Sequence, residues 1–299
     1  MTYQLAVHRR TPRLGRRLTL TGLALPALLL MVVVNAYPLV FAAIQSVHSG
    51  SLITPGPFVG LRNFADVLGD PGFWKAAGFT LIFTASAVFG SWALGFALAI
   101  LLKPQFPGRG AFKVLLLLPW IVPIVVTAMS WNWLLAGRES LLPSLARALG
   151  MGNVMFLGNP TLAMITVCVF KVWISYPFMM MMCAAALESV EASIYEASAI
   201  DGASKWQQFF HIVLPVTARS TYISWILMAV FSINDFPTIY LLTRGGPLEA
   251  TSSLIVLAYK TTFLDFLPGN GIAIAFFMTA VMIALSVVLL RQIRKASLQ

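Results

Sequence analysis

Long apolar runs alternate with short polar segments along the whole chain. Six runs stand out, at residues 18–47, 73–102, 114–135, 161–187, 217–242 and 271–290. A helix of about 20 apolar residues crosses the hydrocarbon core of a bilayer, which is roughly 30 Å thick. The pattern predicts an all-α polytopic membrane protein with six transmembrane helices.

Composition supports this interpretation, because 59% of the residues are hydrophobic and only 10% are charged. Such values exclude an ordinary soluble domain. The first run is about twice as long as the apolar region of a signal peptide, so we expect it to remain as a span. We therefore predict a cytoplasmic basic tail at residues 1–17 and a single six-helix domain at residues 18–299.

The distribution of basic residues predicts the orientation. With the amino terminus inside, 13 Lys and Arg residues fall on cytoplasmic segments and six fall outside, while Lys171 lies within a span. This excess inside predicts that both termini, and also residues 188–215, are cytoplasmic. The net charge of +10 is then a consequence of topology, and no nucleic-acid partner is expected.

Residues 188–215 form the one long hydrophilic interruption in the carboxyl-terminal half. They hold four of the ten carboxylates, which must face water or a protein partner. Small side chains on either side of Gly202 predict a short helix that breaks there and packs closely against another surface. We expect the next helix to end or kink at Pro215. The simpler alternative is an ordinary amphipathic loop helix.

The spacing in this segment points to a family. Glu196-Ala197-Ser198, Asp201-Gly202-Ala203 and Leu214-Pro215 closely resemble the signature loop of permease subunits of bacterial ABC importers. The resemblance is to the carbohydrate branch, which includes maltose-type and glycerol-phosphate-type permeases. Two departures are visible: that family usually has alanine at the position of Ser198, and an Ile-Pro pair at the position of Val190-Glu191.

This resemblance implies a non-catalytic subunit of an ATP-driven importer. Its partners would be a second homologous permease subunit, two cytoplasmic ATPase subunits that bind ATP and Mg²⁺, and an external solute-binding protein. The loop would form a coupling helix between spans four and five. Glu196 and Asp201 would face basic groups of the ATPase, Gly202 would form the turn, and Ala197 and Ala203 would allow close approach. Ser198, Leu214 and Pro215 complete the motif.

Ionisable groups inside the spans mark a possible substrate path. Lys171 and Asp235 are costly in a bilayer. They should either have a structural role, with Lys171 snorkelling or pairing with Asp235, or contact substrate. A carbohydrate also needs aromatic faces and polar partners. The candidate path residues are Trp120, Lys171, Trp173, Tyr176, Asn234 and Asp235. We favour a neutral carbohydrate; a glycerol-phosphate ester is the alternative, with Lys171 as its cation.

Catalytic signatures are missing from the sequence. It has no G-x-x-x-x-G-K-[ST] phosphate-binding loop, and its three histidines are far apart, so neither a catalytic nor a metal site is expected. A self-sufficient secondary transporter using Lys171 and Asp235 as a polar relay is the other hypothesis. The loop resemblance and the lack of an evident internal repeat argue against it.

Helix packing and helix breaks can also be anticipated. Ala93, Gly95, Ala97 and Ala99 form two interleaved small-xxx-small pairs, which suit either close helix packing or simple exposure to lipid. In the third run, prolines 119 and 123 leave backbone carbonyls that need other partners.

Overall fold

The computed structural model describes residues 13–296 of the 299-residue chain. Over this range the protein is helical apart from one small hairpin, as the apolar pattern predicts. The elements are α1 (Arg13–Ser46), β1 (His48–Gly50), β2 (Pro55–Phe58), α2 (Arg62–Gly69), α3 (Pro71–Ala85), α4 (Ser91–Leu101), α5 (Arg109–Ile121), α6 (Ile124–Leu135), α7 (Leu141–Ala148), α8 (Pro160–Glu188), α9 (Ala192–Ile200), α10 (Lys205–Gln208), α11 (Leu214–Ile233), α12 (Phe236–Thr243), α13 (Leu254–Phe263) and α14 (Pro268–Ala296).

The predicted spans can be compared with these helices one by one. Within residues 13–296, five helical segments are long and apolar enough to cross a membrane: Thr21–Ser46, Pro71–Leu101, Pro160–Glu188, Lys205–Ile233 and Pro268–Gln292. A sixth is formed by α5 and α6 if that bent pair counts as one span. The all-α, six-span architecture is therefore confirmed, with differences in how two of the spans are built.

The third span is broken into two helices at the second of the two prolines noted in the sequence. α5 and α6 meet at 88° around Val122 and Pro123. Val122 has an extended backbone, with φ −69° and ψ 132°. A residue before proline avoids helical geometry for steric reasons, so the break falls at that position.

The fifth span also departs from its prediction at both ends. It ends at Ile233 instead of residue 242, because Asn234 and Asp235 leave the helical path before α12 begins. It begins earlier than expected, because the helix runs without interruption from Lys205 to Ile233. Pro215 therefore does not end the helix, which was one of the two outcomes predicted for it.

A widened turn explains how Pro215 is accommodated. Residues Phe209–Val213 form a π-helical turn, in which the amide of Leu214 donates to the carbonyl of Phe209. In a regular α-helix the proline ring would clash with the carbonyl four residues before it. That carbonyl belongs to His211, inside the widened turn, so the helix can continue.

α8 lies at the centre of the bundle, where it packs against α4, α5, α11 and α12. Gly95 and Ala99 of α4 are buried, while Ala93 and Ala97 are exposed. A Cβ atom added to Gly95 would lie 2.6 Å from the backbone nitrogen of Met180 in α8. One of the two small-residue pairs thus mediates close packing, and the other faces outward.

Only part of the predicted amino-terminal tail lies within the described residues. Residues 1–12 of the predicted basic tail lie outside the described residues, and residues 13–17 already belong to α1. A short helix, α7, lies between the third and fourth spans. The division into a tail and one membrane domain stays a prediction.

Candidate coupling segment and central ion pair

The end of α9 is defined by local backbone hydrogen bonds. The amide of Ala203 donates to the carbonyl of Ser198, and the amide of Gly202 donates to that of Ala199. This pair of bonds forms a Schellman motif, which requires a left-handed residue after the helix. Gly202 supplies it with φ +80°. The turn that the sequence placed at Gly202 is therefore present.

A second local motif starts the next helix. The Ser204 hydroxyl accepts from the amide of Gln207, and the Gln207 side chain accepts from the amide of Ser204. This capping box satisfies two amides that a helix start leaves free. The S-x-x-Q spacing of Ser204 and Gln207 is the signal in the sequence for this cap.

The surface of this segment is unusually exposed. None of the residues of α9 is buried, and Glu196, Ala197, Asp201 and Gly202 are all exposed. Large apolar side chains also face outward, with Ile200 87% exposed and Trp206 74% exposed. Apolar groups of this size at an exposed turn are typical of a surface that contacts a protein or a membrane.

Buried contacts attach the inner side of the segment to the bundle. The Ser198 hydroxyl donates to the carbonyl of Tyr195 and accepts from the buried amide of Gln208 at 2.9 Å. Tyr195 packs beside the cluster formed by Phe96, Met180 and Val213. Sequence analysis missed Gln208, because nothing in its local spacing distinguishes it from a solvent-facing polar residue.

Three of the predicted coupling residues lie outside the exposed surface formed by α9 and Gly202. Ala203 is partly buried beside the turn. Leu214 is partly buried, and Pro215 is exposed, at the start of α11. These two residues therefore form part of the continuous helix that connects the exposed segment with the fifth span.

Lys171 and Asp235 form a buried ion pair in the centre of the bundle. The Lys171 Nζ lies 2.7 Å from the Asp235 Oδ2, and the two side chains are only 8% and 9% exposed. The hydroxyl of Thr238 donates to the same oxygen, while the amide of Thr238 donates to Oδ1. Asp235 therefore both caps α12 and neutralises Lys171. Of the two roles left open for these residues, the structural pair is present.

A cavity of about 370 Å³ lies beside this ion pair, at the break between α5 and α6. Trp120 and Lys171 are the predicted path residues that line it. Ser175, Phe178 and Phe231 also line it, and sequence analysis missed them. Positions 171, 174, 175 and 178 share one face of α8, so helical spacing from Lys171 was a usable signal.

The other path candidates point elsewhere. Trp173 packs against Trp131, with ring centroids 5.4 Å apart, and Tyr176 is buried away from the cavity lining. Asn234 is exposed, and its side-chain amide donates to the carbonyl of Val230. The structure thus places two of the six candidates at the cavity and Asp235 next to it.

Together, these features define a polytopic membrane protein with an exposed helical turn. The chain belongs to the family of inner membrane components of binding-protein-dependent transport systems, which matches residues 91–296. It is thus a permease subunit of an ABC transporter and is not itself catalytic.

Particular relatives cover nearly the whole chain. It is 30% identical to the sulfoquinovosyl glycerol transport system permease protein SmoG of Agrobacterium fabrum, over 94% of this chain and 92% of the relative. It is 33% identical to the trehalose/maltose transport system permease protein MalF of Thermococcus litoralis, over 85% and 87% respectively. A crystal structure of a bacterial alginate ABC transporter, in complex with a periplasmic protein bound to an alginate pentasaccharide, has a chain that matches with a TM-score of 0.78. That match has 18% identity and covers 92% of this chain and 93% of the other, so it supports the fold.

Proposed function

We propose that the chain is one permease half of an ATP-driven carbohydrate importer. It would pair with a second homologous permease subunit, and two cytoplasmic ATPase subunits would bind ATP and Mg²⁺ and attach to the exposed segment. An external solute-binding protein would deliver the substrate. Family membership and the sugar transport named for the relatives support this proposal.

The observation on which the proposal depends is the exposed turn and its continuous connection to a span. α9 and Gly202 lie at the surface, and from Lys205 the chain is helical as far as Ile233, beside the ion pair. Gln208 in this helix donates to the Ser198 hydroxyl of α9, so a protein that grips α9 can move α11 with it. ATP-driven closure of the ATPase subunits would rock the bundle between two states, provided that contacts at α9 differ between them.

The predicted orientation fits this arrangement. The count of basic residues places both termini and α9 in the cytoplasm, and the family is one of inner membrane components. The exposed apolar surfaces of the long helices would then face lipid or the second permease subunit.

The central cavity favours a neutral carbohydrate over a glycerol-phosphate ester. Asp235 neutralises Lys171 at 2.7 Å, so the cation is not free to bind a phosphate. Trp120, Phe178 and Phe231 give the cavity aromatic walls, which suit the apolar faces of sugar rings.

Copurification from detergent-solubilised native membranes tests the proposal. We expect an ATPase and a second permease subunit to accompany the wild-type chain. Gly202→Asp should lose the ATPase and keep the second permease. Gly150→Asp is the matched control, because Gly150 also has a left-handed backbone, φ +79°, with no atoms near its missing side chain. It lies after α7, in a segment predicted to be external.

Two results would contradict the proposal. If the wild-type chain purifies alone or as a homo-oligomer, the proposed assembly with an ATPase and a second permease subunit is wrong. Gradient-driven uptake by vesicles that contain the chain without any ATPase would favour secondary transport instead. Loss of the ATPase from both glycine variants would show that general strain, and not the α9 turn, disrupts the complex.

A further inference from the structure

A second cavity, of about 220 Å³, opens at the end of the bundle that carries α9. It lies where α4 ends, α5 begins and α8 ends. Three cations line it, together with one carboxylate, Glu188, and an apolar wall. The cations are Lys103, Arg109 and Lys113, and the wall includes Leu102, Leu117 and Met181.

The positive charge in this cavity is only partly neutralised by the protein. Within residues 13–296, none of the three cations forms an ion pair. Arg109 and Lys113 occupy the first turns of α5, which has no acidic residue in its first turn. A helix amino terminus carries a partial positive charge of its own, so cations are unfavourable there without an anion nearby. Glu188 is exposed and offsets only part of this charge.

Other contacts hold the cations at the cavity. The Nε of Arg109 donates to the carbonyl of Leu102 at 2.6 Å, which fixes the guanidinium against the end of α4. The Nζ of Lys103 lies 4.0 Å from the ring centroid of Tyr195 on α9. Arg109 and Lys113 are both partly buried. Two of the three cations, Lys103 and Arg109, are therefore held at the cavity by contacts within the protein.

We propose that this cavity binds the phosphate of an anionic phospholipid, with an acyl chain against the apolar wall. Phosphate is the chemistry that unpaired Arg and Lys side chains recognise. The apolar wall and the position at the end of the spans favour a lipid over free phosphate, since basic pockets between helices at the cytoplasmic side bind anionic headgroups. Assignment to the cytoplasmic leaflet rests on the proposed function.

The lipid would lie next to the coupling segment. Lys103 contacts both the cavity and Tyr195, so a bound phosphate would hold α9 in place through the same side chain. The site thus gives the membrane a direct contact with the part of the chain that the ATPase is proposed to grip.

Native mass spectrometry of the full chain, purified with its partners, tests this site. The probes are dioleoylphosphatidylglycerol, dioleoylphosphatidylcholine and inorganic phosphate. A cation near an anionic lipid surface contributes about fivefold in affinity. We expect Lys113→Gln to weaken phosphatidylglycerol retention about fivefold, and Arg109→Gln with Lys113→Gln about 25-fold. Lys113→Arg should retain it, which shows that charge and not folding is measured.

Arg219→Gln provides the matched control, because Arg219 is exposed on the same predicted side of the membrane but lies outside the cavity. It should leave retention unchanged. Equal retention of the two lipids by the wild type, or unchanged retention in the double variant, would overturn the proposal. Displacement of phosphatidylglycerol by inorganic phosphate would show that the site binds free phosphate, and it would overturn the proposal of a lipid site.

The same variants also distinguish lipid binding from binding of the ATPase, and they test the lipid site independently of the transport proposal. If the double variant loses the ATPase while lipid retention stays at the wild-type level, the cations bind protein, and the lipid site is wrong. If ATP-driven uptake of carbohydrate fails while the lipid results are as expected, the lipid site is supported, and only the transport proposal fails.

Discussion

Charge removal at the central ion pair gives the sharpest test of what holds the bundle together. Lys171 and Asp235 are buried and 2.7 Å apart. At an effective dielectric constant of about 20, two unit charges at this distance attract by about 6 kcal/mol. Removing one member leaves the other unpaired, for which a loss of about 3–5 kcal/mol is typical. We therefore expect Lys171→Met and Asp235→Asn to destabilise the protein strongly, and the double variant to recover most of the loss.

Asn at position 235 is the informative change, because its side-chain oxygen can still accept from the amide of Thr238 and cap α12. Thermal unfolding of the detergent-purified protein is the assay. On the scale of domains of this size, each single variant should lower the Tm by about 10 °C. Double-mutant analysis then gives the coupling between the two side chains.

Two results would refute this reasoning. If the losses of the single variants simply add in the double variant, the two charges do not stabilise each other. If the double variant is stable but fails to transport, the charges contact substrate, and the structural role is not the whole explanation. Uptake by a stable double variant would support a purely structural pair.

The remaining predictions concern helix packing and orientation. Gly95→Leu should destabilise the protein by about 1–3 kcal/mol, because the new side chain would clash with the backbone of α8 at Met180. Ala93→Leu, on the exposed face of α4, should be neutral in the same unfolding assay. In intact cells, Leu149→Cys, at a position 78% exposed, should react with a membrane-impermeant maleimide, while Ile200→Cys on α9 should react only after permeabilisation. The reverse labelling pattern would invert the proposed topology.

Several features of the protein follow from the sequence by itself. The apolar runs determine the spans, since membrane crossing depends on the composition of about 20 consecutive residues and not on distant contacts. The turn at Gly202 and the start of the next helix are likewise local, because a Schellman motif and a capping box each involve residues a few positions apart.

The folded structure decided how the prolines act, and tertiary packing decided which side chains meet. Pro123 marks a break of 88°, whereas Pro215 stays within a continuous helix, because a widened turn relieves the steric clash of its ring. Lys171 and Asp235 are 64 positions apart, and they pair only because α8 packs against the junction of α11 and α12. Trp173 lies outside the cavity lining because it packs against Trp131 of α6. The order of apolar and polar residues along the chain does not contain this contact between helices.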